Sequence, residues 1–216
     1  MPQSAYNLHN MATLEYASQL INYPFPFIKT RQLRQLFNIH SKRTLQNVIK
    51  NLLKHKLLIQ LEKGKYLIAA QENNITTFDI AYFVYSPSYI SLETALNYYG
   101  ILPQFPFSIT SVTTRKTKEK EILEFSFEYH HISVDLFAGY EKHNYHLIAT
   151  KEKALFDYLY FVLKGIKTKN YLDELDITDI SERKFRQYIK ELLIDLANPM
   201  LELFNEIKKN AKFTAN

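Results

Sequence analysis

The sequence predicts an α+β protein built in two parts, and three observations carry that expectation. Charge is unevenly shared: residues 1–75 hold ten Lys/Arg against three Asp/Glu, a net +7, whereas the remainder holds 17 against 19, a net −2. The basic part carries helical periodicities followed by two short apolar runs around a Gly-containing turn. The other part opens with a helix that feeds a strand rich in Ile, Val and Thr. The expected domains are therefore 1–75 and 76–216, each long enough to bury a core.

Met11 to Asn22 reads as a first helix with Leu14, Ala17 and Ile21 on one stripe, broken by Tyr23-Pro24-Phe25-Pro26. Phe27-Ile28 suits a short strand. Thr30 is placed to cap a second helix whose Leu33, Leu36 and Phe37 face inward while Arg31 and Arg34 face out. After Asn38-Ile39-His40, Ser41 is a favourable N-cap for a third helix, Lys42 to about Lys54.

That third helix is the most informative element of the basic part. At 100° per residue, Leu45, Val48, Ile49, Leu52 and Leu53 fall within about 140° of arc. Arg43, Asn47, Lys50 and Lys54 lie opposite, flanked by Gln46 and Asn51. One face is core, and the other offers donors suited to base edges and phosphates. Leu57 to Leu61 and Tyr66 to Ala69, joined by Glu62-Lys63-Gly64-Lys65, predict a β-hairpin with Gly64 as its positive-φ residue. A hairpin behind a helix-turn-helix is a wing, and Lys63 and Lys65 stand at its tip. Helix-turn-helix and wing, in that order and at net +7, predict a double-stranded DNA-binding head. The bland alternative is a helical bundle with a solvated basic face.

In the second part, Phe78 to Tyr85 is apolar, as helix or strand. Pro87 to Lys118, PSYISLETALNYYGILPQFPFSITSVTTRKTK, organises the rest. Ser91 stands at an N-cap position with Glu93 in the first turn. Leu92, Ala95, Leu96 and Tyr99 repeat at helical spacing, and Gly100 is placed for a left-handed stop. Pro103 and Pro106 prevent the helix from resuming, and Ser108 to Thr114 favours an extended backbone. The alternating KTKEKE of residues 116–121 reads as a solvated hairpin tip, across which 109–114 would pair with 125–132. Residues 145–149 suit another strand, and Thr150 caps a helix over 151–164 stopped by Gly165. Ser181-Glu182 opens a helix through about Ala197, Asn198-Pro199 opens a last one over 200–209, and residues 210–216 are expected to fray. The expected body is thus mixed α/β, with a small sheet and packed helices.

Several function classes fall away. With no Cys, disulfides, thiolate catalysis and Cys-ligated zinc are excluded. Four dispersed glycines cannot build a phosphate-cradling loop, and HExxH and GxSxG are absent. No apolar run approaches the roughly 20 residues of a membrane helix, and MPQSAYNLHN lacks the pattern of a secretory signal. A cytoplasmic, non-enzymatic protein without cofactor or metal is expected. His130 and His131, adjacent in a strand, point to opposite faces, His143 and His146 sit beside Gly139-Tyr140 in a loop, and the histidines read as polar surface or satisfied strand residues. Asp173, Glu174, Asp176 and Asp179 read as solvated or capping acids, with Mg²⁺ ligation the sharper alternative. Arg115, Lys116 and Lys118 form either a solvated turn, a second DNA contact or a contact to an acidic partner. Tyr98, Tyr99 and Tyr140 are candidate interface anchors among otherwise core aromatics.

The segments PSYISLETALNYYGILP and ITSVTTRKT closely resemble the core signature of the AbiEi family, the antitoxin and transcriptional-regulator half of type IV (abortive infection) toxin-antitoxin operons. LIATKEKALFDYLYF resembles it too, with Lys151 where family members usually place Pro. The resemblance implies an N-terminal winged helix and a C-terminal antitoxin domain. It also implies repression of the protein's own operon through inverted repeats, as monomer or dimer on DNA. The implied partner is a nucleotidyltransferase-like toxin, counteracted typically without a stable complex. The alternative is a stand-alone winged-helix regulator whose body binds a ligand or dimerises.

Overall fold

The structure, a computed structural model, describes residues 13–190 and 194–213. The chain is mixed α and β with two sheets, and it divides into two compact units, Met1–Thr76 and Thr77–Asn216.

In the first unit, α1 is described over residues 13–21. Its inward stripe is not the expected one: Leu14 and Ile21 are 70% and 62% exposed, and Leu20 is buried instead. Tyr16 decides the rotation, because its ring packs 4.4 Å from that of Phe37, and Tyr16 with Leu20 offers more apolar surface than Leu14 with Ile21. Strand β1 (Phe27–Lys29) leads into α2 (Thr30–Leu36). The cap residue of α2 is Lys29 rather than Thr30. The Lys29 amide donates to Gln32 Oε1 at 2.8 Å, and the Thr30 amide donates to the Gly64 carbonyl at 3.0 Å.

Helix α3 (Lys42–Lys54) starts where the Thr44 amide donates to Ser41 Oγ at 3.3 Å. It buries Leu45, Ile49 and Leu52 against Ile28, Leu33, Leu58, Tyr66 and Ile68. Strands β2 (Leu58–Glu62) and β3 (Lys65–Ile68) form an antiparallel hairpin, with β1 on the far side of β3. Gly64 turns it at φ +80, and a side chain there would press on Thr30 Oγ1.

The second unit is built on a six-stranded mixed sheet, larger than the small one expected. Its order is β6 (Lys118–Ile122), β7 (Phe125–His131), β5 (Ser108–Thr113), β4 (Ser88–Ile90), β9 (His146–Ala149) and β8 (Tyr140–His143). Strands β5 and β7 do pair, but in parallel, with Ser108 opposite Ser126 and Thr113 opposite His131. They are therefore not the two arms of a hairpin. The charged run becomes edge strand β6, antiparallel to β7. Alternating charges suit an edge as well as a turn, because they deter pairing with another chain.

Helix α4 (Thr77–Val84) packs on β4, β5 and β9. Tyr129 donates to the Ala81 carbonyl of α4 at 2.8 Å. The next residue, His130, lies 5.4 Å from Phe161 of α6 (Lys151–Leu163). Neighbouring residues of a strand face opposite ways, so helices cover both sides of the sheet. Helix α5 (Leu92–Tyr98) packs on β5 and α6. Gly100 follows it at φ +71, as the stop signal requires. Thr150 caps α6, its Oγ1 accepting from the Lys153 amide at 3.3 Å. α6 is flanked by α5, β9, α7 (Glu182–Ile189) and α8 (Ile194–Phe213), which is why it is buried nearly all round. Helix α7 is shorter than expected, and α8 runs through Pro199 instead of starting after it, giving up one backbone hydrogen bond. Helix α8 also carries residues 210–213, part of the tail expected to fray, as helix to Phe213. Residues 1–12, 191–193 and 214–216 lie outside the described residues, and with them the N-terminal stretch read for a secretory signal and the last three residues of that tail.

Candidate nucleic-acid interface

The outward face of α3 has the composition of a reading surface. Arg43, Gln46, Asn47, Lys50 and Lys54 are all exposed, while Leu45, Ile49 and Leu52 are buried on the other side. Arg31 and Arg34 are exposed on α2, so the two helices present cations from neighbouring elements. Among the described residues, none of these arginines and lysines is held in an ion pair, leaving their donors for solvent or a ligand. Asn47 is set to one side: with Tyr16, Val48 and Leu52 it lines a cleft of about 280 Å³ between α1 and α3. The arrangement suits a helix whose amino-terminal half meets base edges while its flanks meet phosphates.

The two hairpin lysines differ. Lys63 is exposed at the turn, whereas Lys65 is half-buried with its Nζ 3.1 Å from Glu62 Oε2. A lysine that must abandon an ion pair is the weaker phosphate ligand of the two.

The second basic candidate is reduced in the same way. The Arg115 guanidinium lies 4.1 Å from the centre of the Tyr85 ring and donates to the Ser86 carbonyl at 3.2 Å. It clamps the loop after β5, and only Lys116 and Lys118 extend freely from that run. Of the three tyrosines, Tyr98 is exposed, Tyr99 donates to the Ala149 carbonyl at 2.9 Å, and Tyr140 stacks 5.1 Å from Tyr89.

The remaining candidates are dispersed. Asp173, Glu174, Asp176 and Asp179 are all exposed, alternating with buried Leu172, Leu175 and Ile177 that pin the segment down. Asp176 is held below the ordinary carboxylate range by the Thr178 amide and hydroxyl. Among the described residues, no group of three or more His, Asp or Glu is placed to hold a metal ion. Of the two readings of the histidines, His146 takes the satisfied strand one: it is buried in β9 rather than set in a loop, with Nδ1 2.7 Å from Asp79 Oδ1. His143 lies opposite it across the β8–β9 pair.

Two polar clusters, one buried and one half-buried, are not legible in the sequence, since polar residues in amphipathic patterns are read as solvated. In one, the fully buried Asp157 accepts from Ser91, Tyr89 and Lys153. Burial pushes its carboxyl up, Lys153, Ser91 and Tyr89 pull it down, and burial prevails. In the other, Lys167 Nζ bridges Glu93 Oε1 at 3.1 Å and Glu128 Oε2 at 3.3 Å. Glu128 also accepts from Ser108 Oγ at 2.6 Å and lies 3.2 Å from His130 Nε2. Its bonds to His130 and Ser108, with the charge of Lys167, outweigh partial burial and hold its carboxyl down at about 2.

Neither a scan against protein-family models nor a search of curated proteins finds a match to this chain. Among the described residues, no helix is long and apolar enough to cross a membrane.

Proposed function

We propose that this protein is a cytoplasmic, non-enzymatic DNA-binding repressor of the winged helix-turn-helix type. The observation that carries the reading is the division of α3, with Arg43, Gln46, Asn47, Lys50 and Lys54 exposed opposite buried Leu45, Ile49 and Leu52. In this reading α3 enters the major groove, Arg31 and Arg34 contact the backbone, and the β2–β3 hairpin is the wing, led by Lys63. The resemblance of Pro87 to Lys118 to the AbiEi signature extends the proposal. The second unit is then an antitoxin module that counteracts a nucleotidyltransferase-like toxin, and the operator is the protein's own promoter.

The test has two arms on the full chain. Fluorescence anisotropy on the upstream promoter fragment and on a scrambled duplex measures specific and general binding. Co-expression with the adjacent toxin candidate compares wild type with the R43A/K50A variant. Promoter binding lost in that variant with rescue retained supports both halves of the reading. Equal affinity for both duplexes refutes the operator, and absence of rescue refutes the antitoxin. A stand-alone regulator with a ligand-binding body is the second reading, favoured by the cleft described next.

A further inference from the structure

The second unit contains a cleft of about 180 Å³ whose lining includes Glu93, Glu128 and Lys167 at its polar end and Phe105, Phe107 and Tyr171 elsewhere. Three observations bear on its occupant. Two carboxylates face one ammonium, so those three groups carry a net charge of −1. Glu93 is 8% exposed, and among the described residues its Oε2 has no hydrogen-bond partner although Oε1 is held by Lys167. A buried acceptor without a donor costs free energy that a ligand can recover. Finally, Phe105 and Phe107 are 86% and 104% exposed on the proline-flanked loop after α5. Two large rings in solvent beside an acidic cleft are suited to covering something.

We propose that this cleft binds a guanidinium group, with Glu93 and Glu128 as acceptors and Phe105 and Phe107 as its stacking rim. A monocation brings the local charge to zero. Planar N–H donors match a carboxylate with a spare oxygen, and each carboxylate oxygen can accept more than one donor. A guanidinium is weakly hydrated and stacks on aromatic faces, whereas a compact ammonium is strongly hydrated and a hydrated metal ion gains little from phenyl rings. At about 30 Å³ per water, the cleft has room for a guanidinium and a short stem. The inference stands on the second unit alone and is independent of DNA binding.

The test titrates the full-length protein, by calorimetry, with butylguanidinium, with acetyl-Gly-Arg-Gly-amide and with butylammonium, all monocations. A guanidinium probe is expected to bind about tenfold or more tightly than butylammonium. Tighter butylguanidinium identifies a free small molecule, and a tighter peptide identifies an arginine side chain. Glu93→Gln, which preserves shape, should weaken binding about tenfold. The F105A/F107A variant should weaken it severalfold without changing the melting temperature, since both rings are exposed. Butylammonium binding as tightly as the guanidinium probes, absence of binding by both at tens of millimolar, or unchanged affinity in the F105A/F107A variant would overturn the assignment.

Discussion

Ser91 Oγ donates to Asp157 Oδ2 at 2.8 Å, joining residues 66 apart in sequence. The serine that heads α5 therefore makes no side-chain cap, and its hydroxyl is spent on a carboxylate of α6. Tyr89 reaches the same oxygen at 2.9 Å, and Lys153 bonds Oδ1. The β4–α5 junction and α6 are thus fastened through one buried anion.

Because a buried ion pair broken on one side leaves an uncompensated charge, Asp157→Ala is expected to cost roughly 3–5 kcal/mol. Ser91→Ala, which removes a single donor, should cost about 1–2 kcal/mol. A double replacement of Lys153 and Asp157 by apolar residues of similar volume should be milder than Asp157→Ala alone. Urea denaturation measures all three, and an Asp157→Ala variant as stable as wild type would remove this network from the fold's supports.

The features legible in the sequence are those decided locally. Gly64 and Gly100 take positive φ because their turns demand it, and α3 sorts its faces because 3.6-residue periodicity does so without tertiary help. What was not legible depends on distant partners. The parallel pairing of β5 with β7 depends on how the chain returns across the sheet. Glu93, Lys153 and Asp157 are polar by type, and only contacts from other elements bury them. On α1 two rival stripes differ by one residue, and the ring of Phe37 selects between them.

That selection is testable on α1 itself. Leu20→Ala removes a buried side chain and should cost about 2–5 kcal/mol. Leu14→Ser and Ile21→Ser lie on the exposed face and should each stay within about 0.5 kcal/mol of wild type. Thermal unfolding of the three variants decides it, and the opposite ranking would restore the stripe expected from sequence.

Glu128 gives a pH dependence of definite sign. Its folded carboxyl titrates at about 2 against an ordinary 4.5, through His130, Ser108 and Lys167. A lowered folded value means that the ionised form stabilises the fold above about 4.5 and that this contribution is lost as pH falls toward about 2. Glu128→Gln should flatten the acid limb of the stability curve across that window. Urea midpoints measured through the window for both proteins provide the comparison, and parallel curves would contradict the assignment.

The basic residues of the head should separate into readers and holders. Arg43→Ala is expected to cost about 1–3 kcal/mol on operator DNA and much less on a scrambled duplex, as a bidentate base contact does. Lys63→Ala should weaken both duplexes alike. Lys65→Ala should change either little, because Lys65 is engaged with Glu62 at 3.1 Å. With about six phosphates contacted, log K should fall against log salt with a slope near −5, and Lys63→Ala should reduce that slope by about 1. Anisotropy titrations across a salt series measure these terms together. An Arg43→Ala loss equal on the two duplexes would turn Arg43 into a phosphate contact, and a Lys63→Ala loss confined to the operator would remove the hairpin from the role of wing.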